Sequence, residues 1–506
     1  MRVSSKRLGS IIGALAVLAG LATGDLAATF NSSWSSPVIS LGNRVIDYAP
    51  SIVKRYVIQI FGLYDKVFLV SLIILIVVAI SIFFGRAFAA GREKTAYLTI
   101  AAMVAASGVA ALFDAQANLT SLAPTLVSGG TTIYVLRWLG GKKKESELAE
   151  GSLSRRELLR AAAILGAVSI SASALGKALN QKTTVARERI AIALPKPLKF
   201  LAKPPADPAL KIAGLSPFFT PNKDFYRIDT ALSVPNLSVD DWTLEIVGMV
   251  KNPLRFTYAQ LIARPVFELD DTIACVSNEV GGPLVGNARW LGVRLDDLIR
   301  EAQPTADSDQ IMGYSHDGFT AGFPLATLDG RDAMIAIGMN GEVLPTEHGF
   351  PARIIVPGLY GYVSATKWLV RIELTRFDKK QGFWISRGWS ERAPIKTQSR
   401  IDTPATGSEI TAGTVAIAGV AWAPTRGISK VEVRVGSGPW RVANLGEVIA
   451  DTTWRQWWID WNASAGDYII AVRASDGDGN VQSEQYVSIE PNGAEGWHSI
   501  KVRVLV

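Results

Sequence analysis

One cysteine, Cys275, is present in 506 residues. That excludes an intramolecular disulfide, a cysteine-based zinc site and an iron–sulfur cluster, since each needs several thiolates. Histidine is nearly as scarce: His316, His348 and His498 are the three. None lies in the first 300 residues, so no histidine pair is available there for a haem, and no Cys-x-x-Cys-His run is present. The net charge is only +7, and no basic run is interleaved with aromatics. Nucleic acid is therefore not an expected partner.

Apolar residues are what the chain has in plenty, and mean hydropathy is positive. Five apolar stretches precede residue 185: Leu8 to Phe30, Val67 to Phe84, Thr95 to Phe113, Leu119 to Leu139 and Ala161 to Leu179. Each is near the ~20 residues that cross a bilayer. The fourth is broken by Pro124 and the Gly129-Gly130 pair. Arg2, Lys6 and Arg7 precede the first stretch, Arg86, Arg92 and Lys94 follow the second, and Lys142, Lys143 and Lys144 follow the fourth. The positive-inside rule then puts the N-terminus in the cytoplasm and returns the chain there after four spans. The segment from Asn31 to Lys66 carries Lys54, Arg55 and Lys66; part of it is expected to lie along the membrane surface as an amphipathic helix. No charge lies clearly within a span, so the region reads as an anchor.

Ser154-Arg155-Arg156-Glu157-Leu158-Leu159-Arg160 precedes the fifth stretch. It resembles a twin-arginine export signal, the alternative being an ordinary basic helix flank. Internal and facing the cytoplasm, it implies the twin-arginine export machinery as a partner. It also implies a folded domain carried to the extracytoplasmic face of a multi-pass cell-membrane protein, with the anchor retained. Residues 186–215 hold Pro195, Pro197, Pro204, Pro205 and Pro208 among lysines and are expected to form an extended spacer.

After Phe218 the pattern changes to short strands. Trp242 to Gly248, Val266 to Ile273, Arg353 to Gly358 and Trp368 to Leu374 read as strands, with helix starts at Thr257 and Leu295. This is a mixed α+β pattern. From about Thr397 helical signals stop. Thr414 to Gly419, Val431 to Val435, Tyr468 to Ala474 and Ser499 to Val504 read as strands of an immunoglobulin-like sandwich. Asp476-Gly477-Asp478-Gly479-Asn480 is read as a turn, because the twelfth-position glutamate of a calcium loop is missing. Cys275 itself sits between a strand and a glycine-rich loop, Asn278-Glu279-Val280-Gly281-Gly282. A lone buried cysteine is more often a small core hydrophobe than a ligand, and spacing alone leaves both readings open.

Residues 217–506 resemble the sulfite oxidase family of molybdenum enzymes. The resemblance rests on motifs in order: Phe225-Tyr226-Arg227, the Cys275 loop with Asn278, Arg289-Trp290-Leu291-Gly292-Val293, Met339-Asn340-Gly341-Glu342-Val343-Leu344-Pro345, His348-Gly349-Phe350-Pro351-Ala352-Arg353, Val356-Pro357-Gly358, Lys367-Trp368 and Gly496-Trp497-His498. It implies that Cys275 is the protein ligand to molybdenum. A soft thiolate suits a high-valent metal already bound by sulfur. It implies that Tyr226, Arg227, Asn278, His348, Arg353, Ala365, Thr366 and Lys367 contact molybdopterin, with Arg353 and Lys367 suited to its phosphate. It implies a homodimer formed through the sandwich.

The chain so read is multi-domain. N-terminal transmembrane helices come first, four spans over 1–145 and then the signal and fifth span over 146–185. The linker over 186–215 follows. An α+β sulfite-oxidase-type molybdopterin domain covers 216–396, and an all-β immunoglobulin-like sandwich covers 397–506.

Three departures bear on substrate. The family's arginine soon after the cysteine is missing from Val276-Ser277-Asn278-Glu279-Val280. A second arginine is missing from Leu359 to Thr366, and Phe319 stands where the family has an active-site tyrosine. With Glu279 close by, a small dianion is disfavoured. A neutral or larger small-molecule substrate is expected, contacted by Tyr360, Tyr362, His316 and Asp317 alongside Cys275 and Phe319. With no haem, a separate electron partner, a quinone or a redox protein, is required. The expected function is two-electron oxygen-atom transfer, not on sulfite itself. The alternatives are a sulfite or sulfur-compound oxidoreductase, or a non-catalytic envelope protein that keeps the fold.

Overall fold

The structure is a computed structural model and describes residues 5–31, 33–50, 53, 56–57, 60–61, 64–148, 181–204 and 211–506. The fifth apolar stretch and the paired arginines at 155 and 156 lie outside the described residues. The chain divides into two compact units, residues 1–189 with 230–237, and 190–229 with 238–506.

The first unit is helical, as its long charge-free runs require. Helices α1 (Ser5–Ala28), α2 (Pro37–Tyr48), α3 (Asp65–Ala89), α4 (Glu93–Leu112) and α5 (Ala123–Leu148) are its main elements. Four segments are long and apolar enough to cross a membrane: Lys6–Ala28, Asp65–Ala89, Glu93–Leu112 and Leu119–Gly141. Small residues let their backbones approach closely. A side chain at Gly13 of α1 would start 2.0 Å from the Ser81 carbonyl of α3. Thr23 of α1 donates to Thr131 Oγ1 of α5 at 3.0 Å. The expected amphipathic helix is α2. Asp114 holds it, accepting from Ser40 Oγ at 3.0 Å and Asn43 Nδ2 at 3.1 Å.

Among its described residues the second unit contains four sheets. Strands β1 (Thr243–Gly248), β2 (Leu254–Thr257), β5 (Gln310–Ser315), β6 (Thr320–Pro324) and β10 (Leu369–Thr375) form one in the order β2-β1-β10-β5-β6. Strands β3 (Val266–Ala274), β4 (Val285–Arg294), β7 (Met334–Met339) and β8 (Glu342–Val343) form a second in that order, with β9 (Arg353–Ile355) on β7. Short helices α6 (Tyr258–Ile262) and α7 (Leu295–Ala302) connect them, at the two helix starts expected from sequence. Thr257 caps the first through Gln260 in a reciprocal box.

The C-terminal strands form two further sheets. One is β11 (Gln398–Thr403), β13 (Gly413–Trp422), β17 (Arg455–Ala463) and β16 (Asn444–Leu445). The other is β12 (Glu409–Thr411), β19 (His498–Leu505), β18 (Gly466–Asp476), β14 (Ile428–Val435) and β15 (Arg441–Val442). Alternate residues of both, among them Ile417, Val431, Trp457, Ile459, Val472 and Ile500, share one core. Asp476 holds the turn that follows it, accepting from Asn480 N at 2.9 Å and from Arg426 and Thr397.

The proline-rich segment is not a free spacer. Gln181–Ala191 is helical, and the chain then binds along β3. Leu198 N donates to Val266 O at 2.9 Å, and Arg289 Nη2 donates to Ala202 O at 2.7 Å. The reason is topological: β3 is an edge strand, with main-chain groups left to pair.

Candidate active site

Strands β3 and β4 place the thiol. Their antiparallel register sets Asp271 opposite Ala288, Ile273 opposite Gly286 and Leu269 opposite Trp290. Strand alternation puts these residues on one face. The ladder runs one residue past the strand end, where Cys275 N donates to Leu284 O at 2.9 Å. The loop then closes on itself. Asn278 N donates to Cys275 O at 3.0 Å, and Asn278 Oδ1 accepts from Leu284 N at 2.7 Å. The Asn278 side-chain oxygen is thus a loop brace. Cys275 is buried, and burial raises its pKa; the Ser277 amide and hydroxyl oppose that rise.

Small residues on β4 leave room for an aromatic layer over this face. Phe225 packs on Gly286, whose Cβ would fall 2.7 Å from the ring. Tyr226 stacks on Phe225 at 5.4 Å, Trp290 meets Phe225 edge-on at 5.9 Å, and His348 meets it at 5.6 Å. The Tyr226 hydroxyl is desolvated, and its pKa stands well above the ordinary value; the Cys275 thiol and Asp271 add to the rise while Arg353 opposes it. His348 Nε2 lies 2.8 Å from the Asn222 carbonyl. A carbonyl only accepts, so Nε2 carries the proton and Nδ1 is free of it. Burial lowers the His348 pKa to about 4.

Arg353 is buried, its guanidinium 5.1 Å above the Trp290 ring. It donates to the His348 carbonyl at 3.1 Å and the Ala365 carbonyl at 3.5 Å. No carboxylate pairs with it among the described residues, and burial lowers its pKa to about 10. Thr366 is buried beside Gly313, and its carbonyl accepts from Ile354 N at 3.0 Å. Ala365 and Thr366 therefore act through their main chain.

Lys367 continues the array. Burial lowers its pKa to about 8 against the pull of Asp229. Asp229 Oδ2 accepts from Lys367 Nζ at 2.9 Å and from Arg227 Nε at 2.8 Å. The β5–β6 hairpin tip is tied alongside, because His316 N donates to Trp368 O at 2.9 Å. Burial lowers the His316 pKa to about 4 and raises that of Asp317. Phe319 turns towards Phe383 at 5.8 Å.

Two expected substrate contacts are otherwise engaged. The Tyr362 hydroxyl donates to Ser390 O, and the Tyr360 hydroxyl accepts from Lys396 N at 3.4 Å. Both rings are buried in an apolar cluster with Ala274, Val276 and Trp454. Glu279 is also displaced from its expected role. It is exposed, and its carboxylate accepts from the Tyr486 hydroxyl at 3.2 Å.

Residues 231–384 match the family described as "Oxidoreductase molybdopterin binding domain". The chain is 30% identical over 367 residues to the mitochondrial sulfite oxidase of Homo sapiens, covering 60% of this chain and 67% of that one. The chain belongs to the sulfite oxidase family. It is a molybdopterin-dependent oxidoreductase, and its cofactor is molybdenum on molybdopterin. The mitochondrial sulfite oxidase of Drosophila melanogaster is 31% identical over 348 residues, and the match spans 57% of this chain but 60% of the relative's length. The fold matches that of the sulfane dehydrogenase SoxCD from Paracoccus pantotrophus with a TM-score of 0.52 at 22% identity, over 61% of this chain and 87% of the other.

The residues present fit that cofactor. Arg353 Nε, Trp290 Nε1 and Asp271 Oδ1 are buried without hydrogen-bond partners among the described residues. Arg227, Arg353 and Lys367 bring three positive charges against the carboxylate of Asp229 and the Asp317 carboxyl, whose burial favours its protonated form, a cationic surplus suited to a phosphate. Asp229 and Asp271 were not among the residues expected from sequence. Asp229 carried a weak signal, lying two residues after Arg227; Asp271 shares a strand face with Ile273, leading to Cys275.

Proposed function

We propose that this chain is a membrane-anchored, extracytoplasmic oxidoreductase that carries out two-electron oxygen-atom transfer on a small molecule other than sulfite. Molybdenum on molybdopterin supplies the oxygen exchange and the two-electron change when bound. Cys275 is its protein ligand in this reading. Tyr226, Arg227, His348, Arg353 and Lys367 hold the pterin and its phosphate, helped by the main chain at Ala365 and Thr366. The observation that carries the reading is the buried, carboxylate-free guanidinium of Arg353 on the same aromatic layer as Tyr226. A buried cation of this kind is costly unless an anion meets it.

In the reductive direction, a substrate oxygen leaves as water with two electrons and two protons; in the oxidative direction, water supplies the oxygen and the same electrons leave. A quinone or a redox protein exchanges those electrons. The four apolar helices anchor the unit, the paired arginines at 155 and 156 route it through the twin-arginine machinery, and an immunoglobulin-like sandwich mediates dimerisation.

The exclusion of sulfite rests on the surroundings of the thiol. Val276 is buried in an apolar cluster, and Ser277 and Asn278 belong to the loop, so none of the residues just after the thiol brings the positive charge that would draw a small dianion. The second reading, a sulfite or sulfur-compound oxidoreductase, takes its support from the activities named for the relatives.

The test is molybdenum and pterin content of the detergent-solubilised chain, expressed with cofactor synthesis active, beside a Cys275→Ser control. It is paired with assays on sulfite and on sulfoxides with reduced viologen. About one metal per chain, its loss in the control and turnover of sulfoxide are expected. Rapid sulfite turnover would overturn the substrate assignment, and folded protein without metal would overturn the whole reading.

A further inference from the structure

We propose that Asp229 is a positioning residue for the phosphate end of the site, holding Arg227 and Lys367 together as a preformed anion receptor. The proposal rests on the reading above that these cations meet the cofactor's phosphate.

The geometry is a shared carboxylate. One oxygen, Oδ2, accepts from Arg227 Nε at 2.8 Å and Lys367 Nζ at 2.9 Å. The Asp229 side chain is 3% exposed and that of Lys367 11%, whereas that of Arg227 is 39% exposed. The carboxylate therefore lies beneath the two cations, and Arg227 remains open to solvent on the outer side. A lysine stem with several rotatable bonds loses much freedom when fixed. Here Asp229 fixes it before any ligand arrives, and preorganisation of this kind lowers the cost of binding.

The charged surroundings of Lys367 explain why a carboxylate is needed. Arg353 and Arg227 both disfavour its charge, His348 stands nearby, and Asp317 faces the same group from the β5–β6 hairpin tip. The Glu347 carbonyl is 3.5 Å from Nζ, and the Trp368 ring lies 4.5 Å away. Burial already lowers the lysine to about 8, and Asp229 is the group that holds it up. Without Asp229 the amine is neutral over more of the neutral range and no longer attracts an anion. The contrary role is conceivable on charge alone: a carboxylate beside a phosphate site repels the ligand. The two roles predict opposite effects of removing the charge.

The experiment uses inorganic phosphate as probe on the detergent-solubilised chain prepared without cofactor. Calorimetry at pH 6 and pH 8 compares wild type, Asp229→Asn, Asp229→Glu and the double variant Asp229→Asn with Lys367→Arg. Molybdenum and pterin content is read separately on chains made with cofactor synthesis active. Asp229→Asn is expected to weaken phosphate binding at pH 8 by about fivefold, because lowering the lysine from about 8 by roughly one unit takes its charged fraction from about a half to about a tenth. Binding recovers at pH 6, where the amine is charged again. Asp229→Glu restores part of the loss, and the double variant keeps only the pH dependence of phosphate's own second ionisation, because arginine stays charged. Unchanged or tighter binding by Asp229→Asn at pH 8 overturns the proposal. Wild-type chain that binds neither phosphate nor pterin overturns the phosphate reading itself. Wild type that binds both, with Asp229→Asn indistinguishable from it, removes Asp229 alone.

Discussion

The ring of His498 occupies the space that a side chain on Gly281 would need. A Cβ there would lie 2.3 Å from Nε2 and 2.1 Å from Cδ2. His498 opens strand β19, and its Nδ1 accepts from Ile401 N at 2.9 Å. The first residue of the last strand therefore closes over the loop that carries Cys275. Arg400 adds a second tie, donating to the Gly282 carbonyl at 3.0 Å. The sandwich strands thus help to shape the thiol loop.

This contact makes a double-mutant prediction. Gly281 has φ of +76°, where a Cβ costs about 1–2 kcal/mol, and overlap with His498 adds about 1–2 kcal/mol. Gly281→Ala is expected to lose about 3 kcal/mol in thermal or denaturant unfolding. In the His498→Ala background the overlap is gone and only the backbone cost remains. A coupling of about 1–2 kcal/mol between the two changes is expected. Strict additivity would mean that the ring does not bear on the loop.

A second prediction separates stability from cofactor retention at Arg353. The guanidinium is buried, touches two carbonyls and has no carboxylate. Replacing a poorly compensated buried charge by an apolar side chain of similar length is often neutral or stabilising. Arg353→Met should leave the cofactor-free chain within about 1 kcal/mol of wild type and yet sharply reduce pterin content. A cofactor-free Arg353→Met chain that fails to fold would instead make Arg353 a structural residue.

The sequence was most legible where a residue type has few uses. Cys275 stands alone, and its strand was readable because Val266 to Ile273 leads into a glycine-rich loop; the structure extends that strand by one residue. The charge-free runs marked four long helices for the same reason. Less was legible where partners come from distant segments. Strand β7, Met-Ile-Ala-Ile-Gly-Met, is buried throughout, so it lacks the alternation that betrays a half-buried strand. The sandwich strand β17 carries Trp457 and Trp461 inward and was equally silent. Asp229 gains its meaning only from Lys367, 138 positions away. That Lys396 and Ser390 engage the hydroxyls of the tyrosines at 360 and 362 was likewise invisible in the sequence.

Those hydroxyls yield a third prediction. Tyr362→Phe removes the donor to Ser390 O, and one such bond contributes about 1 kcal/mol. A loss of stability of that order is expected, with KM for the substrate unchanged. Tyr360→Phe should cost less stability, since its hydroxyl accepts only a long 3.4 Å contact from Lys396 N, and should likewise leave KM unchanged. A large rise in KM in either variant, without loss of stability, would return that tyrosine to the substrate site.

The three histidines set the response to acid. His316, His348 and His498 are each lowered from 6.5 to about 4, with burial the main cause. A depressed histidine excludes a proton that the unfolded chain takes up. Above pH 6.5 neither state holds the proton, and the groups do not affect stability. As pH falls from 6.5 to about 4, the unfolded chain gains protons first and stability is lost. Each shift corresponds to roughly 3 kcal/mol when fully expressed. Asp271 and Asp317 act in the opposite sense, because burial raises their carboxyls and the folded state takes up their protons more readily. The net expectation is a steady loss of thermal stability between pH 6.5 and pH 4.5. His348→Gln keeps a donor for the Asn222 carbonyl while removing one titrating ring, so its stability should fall less steeply over the same interval. Equal slopes for the variant and the wild type would mean that His348 takes up its proton without cost in the folded chain, contrary to its burial and its hydrogen bond.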